Sequence, residues 1–221
     1  MFSRLYLLKL FPTFFLWIGI GFFMGFLPLY LHENGEKHLL LEAYLLIQIL
    51  TWFGLGFFFR KAYIYTYKDE LTNLWNRRYL YIRLDDEIKK TKQNSVLALA
   101  IIDIDNFKCV NDTHGHLFGD KVLTEVAGIL HNNLRKNDII TRWGGEEFIL
   151  VLPKSDTKEA KAVLERIRNR VENYDFGCRI TISVGVAFIK SYTEANKLIE
   201  KADKALYQAK RTKNIIEVYE K

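Results

Sequence analysis

Residues 11–31 contain no charged side chain, and residues 39–59 repeat the pattern with Glu42 as the one exception. A helix of about 20 apolar residues matches the hydrocarbon thickness of a bilayer. Between the two stretches lies only the short polar segment 32–38, so residues 1–61 read as a two-span transmembrane hairpin. Arg4 and Lys9 precede the first span while Arg60 and Lys61 follow the second, and the excess of basic residues on both flanks puts both ends in the cytoplasm. A cleaved signal peptide would need a shorter apolar core and a small-residue cleavage site, and neither is present. Gly21 and Gly25 have the spacing that lets membrane helices approach closely. Glu42, near the end of its span, reads as snorkelling outward.

Segment 62–68 links the hairpin to the rest of the chain. Its alternating Tyr63, Tyr65 and Tyr67 suit a strand better than a helix, although a continuation of the second span as a stalk is equally open. Residues 69–221 form one globular domain of ordinary single-core size. The net charge of +6 fits an anionic substrate and anionic lipids facing the cytoplasm. It is too mild to imply nucleic-acid binding. Cys109 and Cys178 belong to no paired metal or redox motif, which leaves thiols in a reducing compartment.

The globular part alternates helical and strand patterns. Helices are expected over residues 77–90, 119–133, 157–171 and 193–211. Strands are expected over 96–104, 139–142 and 148–152, within 179–189, and over 215–219. Gly144 and Gly145 between two apolar runs form a hairpin turn, so two strands run antiparallel and the sheet of this α/β fold is mixed. Val122, Leu123, Val126 and Leu130 give one helix its buried stripe.

Chemistry collects where the apolar strands end. Residues 96–104 are nearly all apolar until Asp103, and Asp105 comes directly after the run. Ligand sites of α/β sheets gather at strand ends, so Asp103 and the tip acids Glu146 and Glu147 are expected to share a cleft. Converging carboxylates suit a hard cation held against phosphates. Asp105 reads equally well as the end of a strand and the cap of the next element. Lys108, Asn111, His116 and Asp120, read as a short polar loop, supply the donors and acceptors that grip phosphates and read a base edge.

Five ordered blocks now resemble the GGDEF-domain diguanylate cyclases: DELTNLWNRR at 69–78, IDIDNFKCVNDTHGHLFGD at 102–120, GGEEF at 144–148, TISVGVA at 181–187 and ADKALYQAK at 202–210. The resemblance implies a palm-like nucleotide cyclase domain with helices flanking a mixed central sheet, condensing two GTP into cyclic di-GMP with loss of two pyrophosphates. It implies Mg²⁺, or Mn²⁺ in its place, held by Asp103, the Ile104 carbonyl, Glu146 and Glu147, with Glu146 also the general base. Asn111, His116 and Asp120 match the guanine-side contacts. Phe107 and Lys108 match the phosphate-cradling turn, and Lys210 and Lys213 match phosphate-binding cations. Each domain supplies half a site, so a homodimer is implied, at the inner membrane of a bacterium with the catalytic domain in the cytoplasm.

Arg135 and Asp138 fit the family's RxxD site, at which the product inhibits, and Arg166 stands where that site often has another arginine. Two departures stand out. The family's glycine before a basic residue and asparagine is missing from Lys210-Arg211-Thr212-Lys213-Asn214, which leaves Arg211 and Lys213 as rivals for the second phosphate cation. Asn73 also replaces a preferred glycine. Rival readings are a degenerate cyclic di-GMP receptor or scaffold, and a cyclase making another cyclic dinucleotide.

Overall fold

The computed structural model describes residues 38–91 and 96–220, and the expected first span at 11–31 lies outside them. Two compact units divide between Thr66 and Tyr67. In the first, a single helix α1 (His38–Tyr67) takes in the expected second span and the linker. The tyrosine alternation therefore does not make a strand. The helix runs through it without a breaker, and Thr66 Oγ1 donates to the Ala62 carbonyl at 2.8 Å as a helical side chain does. α1 is long and apolar enough to cross a membrane and exposes Leu46, Leu50, Trp52, Phe53 and Phe57.

The second unit contains β1 (Trp75–Asn76), α2 (Arg77–Lys90), β2 (Leu97–Ile104), α3 (Phe107–His114), α4 (His116–Asn132), β3 (Ile139–Gly144) and β4 (Glu147–Pro153). After these come α5 (Thr157–Glu172), β5 (Ile182–Ile189), α6 (Ala195–Thr212) and β6 (Ile216–Val218). The strands form one sheet in the order β1-β3-β4-β2-β5-β6, with β1·β3 and β5·β6 parallel and the other pairs antiparallel. The sheet is mixed, as its hairpin requires.

Residue parity along β2 determines what each side chain meets. Ala98, Ala100, Ile102 and Ile104 join the core beneath α3, α4 and α5. Leu97, Leu99 and Ile101 join a second core with Leu80, Leu84, Leu198 and Leu206 from α2 and α6. A strand buried on both faces reads as a continuous apolar run, which is why residues 96–104 look as they do. Asp103 follows the odd parity and faces the α6 side. Gly185 lets α6 lie directly on β5: a Cβ there would fall 2.0 Å from the Leu206 nitrogen.

One expectation fails at residues 106–120. They form α3 and the start of α4 rather than a polar loop, and α4 begins at His116, ahead of the expected Gly119. Phe107 and Val110 are buried three residues apart on α3, while the polar side chains take its outer face. The only break is Gly115, at φ +83, a conformation that glycine adopts at little cost.

Candidate active site

Antiparallel pairing sets Asp103, near the end of β2, opposite Glu147 at the start of β4, with Ser183 of β5 on its other side. Glu146 occupies the turn between β3 and β4 after Gly145, whose φ of +53 the turn requires. From α6, Lys210 forms an ion pair with Asp103 through Nζ and Oδ1. Burial raises Asp103 above the usual carboxylate range. Lys210 opposes that rise, while the charges of Glu146 and Asp105 add to it. Glu147 is raised in the same way, by burial first and then by Asp103, Asp203 and Glu146. Three acids thus crowd one edge of the sheet.

Asp105, close enough for its charge to act on Asp103, has its carboxylate engaged by hydrogen bonds. Its carboxylate accepts hydrogen bonds from Thr181 Oγ1 at 2.8 Å, Ser183 Oγ at 2.7 Å and the Asn214 N–H at 3.0 Å. It ties the exit of α6 to β5. Ile104, 1% exposed, ends β2 with its side chain in the opposite core.

Across the end of β2, α3 begins with Phe107 and Lys108, the first buried and the second exposed. Asn111 on α3 leans over Gly119 of α4: a Cβ at Gly119 would fall 1.9 Å from Asn111 Oδ1 and 3.2 Å from Phe107. Gly119 therefore clears the space that Asn111 uses. His116 and Asp120 are exposed one helical turn apart on α4 and share a face. Lys213 Nζ donates to Asn106 Oδ1 at 2.6 Å, at the head of α3, while Arg211 reaches only Gln208 at 3.5 Å. Of the two rival cations, Lys213 is thus the one that reaches the head of α3.

Arg135 and Asp138 lie in the turn between α4 and β3, where the Arg135 N–H donates to Asp138 Oδ2 at 2.8 Å. Burial raises Asp138, opposed by that hydrogen bond and by the Arg135 charge. Arg166 on α5 donates to the Asn133 side chain at 3.2 Å and its carbonyl at 2.8 Å, two residues before Arg135. This group sits at the opposite end of β3 from the GGEEF tip, about 17 Å away by strand rise.

A family model described as diguanylate cyclase, GGDEF domain, matches residues 66–215. The chain belongs to the GGDEF family. It is 41% identical over 149 residues to the diguanylate cyclase DgcP of Pseudomonas aeruginosa, covering 65% of this chain and 22% of that protein. The chain spans about a fifth to a third of the length of the curated relatives it matches first. In structure it is similar to the coiled coil and GGDEF domain of DgcB from Caulobacter crescentus in complex with c-di-GMP. The TM-score is 0.75 at 30% identity, covering 80% of this chain and 98% of that one. It is also similar to the active GGEEF domain of a diguanylate cyclase from Vibrio cholerae. There the TM-score is 0.62 at 32% identity, covering 66% of this chain and 97% of the other. The palm-like architecture is that of the family.

Two features escape a reading of the sequence. Arg142 looks like no more than part of the hairpin, yet it reaches Asp69, 73 residues away, at 3.0 Å. Strand β1 pairs Trp75 with Thr141 and Asn76 with Arg142, and two residues are too few to show a period. The one available signal is the co-occurrence of an acid in the first block and an arginine just ahead of the third.

Proposed function

We propose that the chain is a membrane-anchored diguanylate cyclase that condenses two GTP into cyclic di-GMP and releases two pyrophosphates. The observation that carries this reading is the register that sets Asp103 beside Glu147 on the face occupied by Lys210. A cyclic dinucleotide needs two equivalent condensations. In each, a 3′-oxygen bonds to the other nucleotide's α-phosphorus, the α–β phosphoanhydride bond breaks and pyrophosphate leaves. Glu146, on the open turn, takes the hydroxyl proton. Lys210 and Lys213 meet the phosphates, the first turn of α3 at Phe107 and Lys108 offers N–H groups to them, and Asn111, His116 and Asp120 hold the guanine. One protomer presents one such edge, so the reaction takes a homodimer.

The donor set fits Mg²⁺, with Mn²⁺ as its substitute. Among the described residues no three side chains of His, Cys, Asp and Glu close on one point. Mg²⁺, however, is usually held by one or two carboxylates together with waters and substrate phosphates. Asp103, Glu146 and Glu147, crowded enough to raise two of their number, supply the carboxylates, and Ile104 adds a carbonyl. When bound, the ion neutralises charge gathering on the α-phosphate and leaving group.

α1 is about 45 Å long by helical rise, against about 30 Å of hydrocarbon. This supports a bilayer crossing that continues into a stalk; in this reading residues 11–31 are the other span, and the basic residues flanking the spans place the catalytic domain on the cytoplasmic side. The turn bearing Arg135 and Asp138, with Arg166 beside it, is the inhibitory product site; arginine is suited to bidentate grip on phosphate. The test is the full chain in detergent with Mg²⁺ and GTP, ATP or both, with products identified by mass. Cyclic di-GMP from GTP alone supports the reading. An adenine-containing cyclic product would replace the substrate assignment, and no product from dimeric protein would favour a receptor. Glu146→Gln must abolish product formation.

A further inference from the structure

Among the described residues, three of the five non-glycine positions with positive φ meet at one place: Asn106 at +56, Lys213 at +64 and Asn214 at +53. Residues other than glycine persist in such conformations only where their surroundings enforce them. Lys213 Nζ donates to Asn106 Oδ1 at 2.6 Å, so the left-handed turn that ends α6 is what brings this ammonium to the head of α3.

The enforcement comes through Asn214. Its N–H donates to Asp105 Oδ2 at 3.0 Å, its Nδ2 donates to Glu172 Oε1 at 2.8 Å, and its Oδ1 accepts from Arg168 Nη1 at 2.9 Å. The same Arg168 nitrogen donates to Glu172 Oε2 at 2.8 Å, which closes a ring of three side chains. Both ends of the clamp are themselves fixed. Arg168 Nε donates to Glu165 Oε2 at 3.0 Å, and Asp105, 5% exposed, accepts from Thr181 and Ser183. The Arg168 side chain is only 16% exposed, so water competes poorly for the ring. Helix α5 is therefore bonded to the turn that carries Lys213.

We propose that Asn214, clamped by Arg168 and Glu172 of α5 and by Asp105, is a positioning residue that holds Lys213 at the head of α3 and so sets how strongly the chain grips a nucleoside triphosphate. The kinetic consequence rests on the cyclase reading; the structural one does not. Asn214→Gly isolates the side chain, because glycine takes positive φ at little cost and keeps the N–H on Asp105. In the full chain it should raise KM for GTP about tenfold, the worth of one hydrogen bond to a charged group. Its kcat should change less than about twofold. Arg168→Met breaks the ring from α5 without altering the turn, and it should have the same effect. The double variant should be no worse than either single one, and neither change should raise KM further in a Lys213→Met background, because all act through one ammonium. Hydrogen exchange gives the readout that needs no activity: amides 213 and 214 should exchange faster in both variants while 200–208 stay protected. Unchanged exchange at 213 and 214 would overturn the clamp. So would a KM increase that persists in full in the Lys213→Met background, or a fall in kcat and melting temperature with KM unmoved. If wild type makes no cyclic dinucleotide, the cyclase reading fails and the exchange result still decides the clamp.

Discussion

Gly185→Ala should damage the protein more than any other single methyl added at a described glycine of the core. Gly185 sits in β5 opposite Ile101 of β2 and beneath α6. The new Cβ would lie 2.0 Å from the Leu206 nitrogen, 2.3 Å from the Ala202 oxygen and 2.6 Å from the Leu206 Cα. All three are backbone atoms, so no rotamer change relieves the clash. Heavy atoms settle at about 3.5–4.0 Å, which requires α6 to retreat by about 1.5 Å. Overpacking of a core costs about 1–3 kcal/mol. Leu198, Ala202, Leu206 and Ala209 of α6 are buried, and a gap of about 1 Å forfeits up to half of each contact's attraction. The total is about 3–5 kcal/mol, a fall of about 6–20 °C in melting temperature for a domain of this size. The same retreat separates Lys210 from Asp103, so activity should fall even below the transition.

The assay is thermal unfolding of the full chain in detergent, monitored by near-ultraviolet circular dichroism. Gly128→Ala is the matched control, because Gly128 is exposed on α4 and an added Cβ meets nothing within 4 Å. There, relief of helical glycine should stabilise by about 0.5–1 kcal/mol. A Gly185→Ala protein that melts within about 2 °C of wild type, a shift below about 1 kcal/mol, or one that melts above Gly128→Ala, would refute the close-approach argument.

Lys213 holds φ +64 and ψ 160 at the end of α6, a region that costs residues other than glycine about 1–3 kcal/mol. Lys213→Gly should therefore raise the melting temperature by a few degrees, while loss of its bond to Asn106 and of its charge raises KM for GTP in steady-state kinetics. Glu147 is raised above the usual carboxylate range, so its folded form prefers the proton. The stability this contributes is full below the unfolded pKa and is lost as pH rises through the folded value. Without divalent cations, Glu147→Gln should melt above wild type at neutral pH, with the gap closing toward about pH 4; melts across that range check it. Arg135→Ala should relieve inhibition by added cyclic di-GMP with an unchanged melting temperature, measured from initial rates of pyrophosphate release.

The central strand and the hairpin are legible in the chain because burial on both faces leaves a continuous apolar run, and a Gly-Gly pair between two such runs has few other uses. Asp103 is legible because acids are conspicuous at the end of such a run. Its role relative to Asp105 is not. Both have the same parity, and only the approach of Thr181, Ser183 and Asn214, 76 to 109 residues away, turns Asp105 into a tie. Residues 106–120 mislead because polar composition outweighs the buried pair Phe107 and Val110. The ion pair of Asp69 with Arg142 is a long-range match between one acid and one arginine, each unremarkable in its own neighbourhood.

The arrangement around Lys210 also shows how charge is balanced at this edge of the sheet. Asp103 is mostly buried, and Glu146, Glu147 and Asp105 lie close enough to act on it or on one another. Such a group of like charges weakens the fold unless a cation answers it. Lys210, delivered by the helix that Gly185 admits onto β5, answers for Asp103. Acid and lysine are thus a single charge-balanced device, and the close approach of α6 to β5 is the packing feature on which it depends.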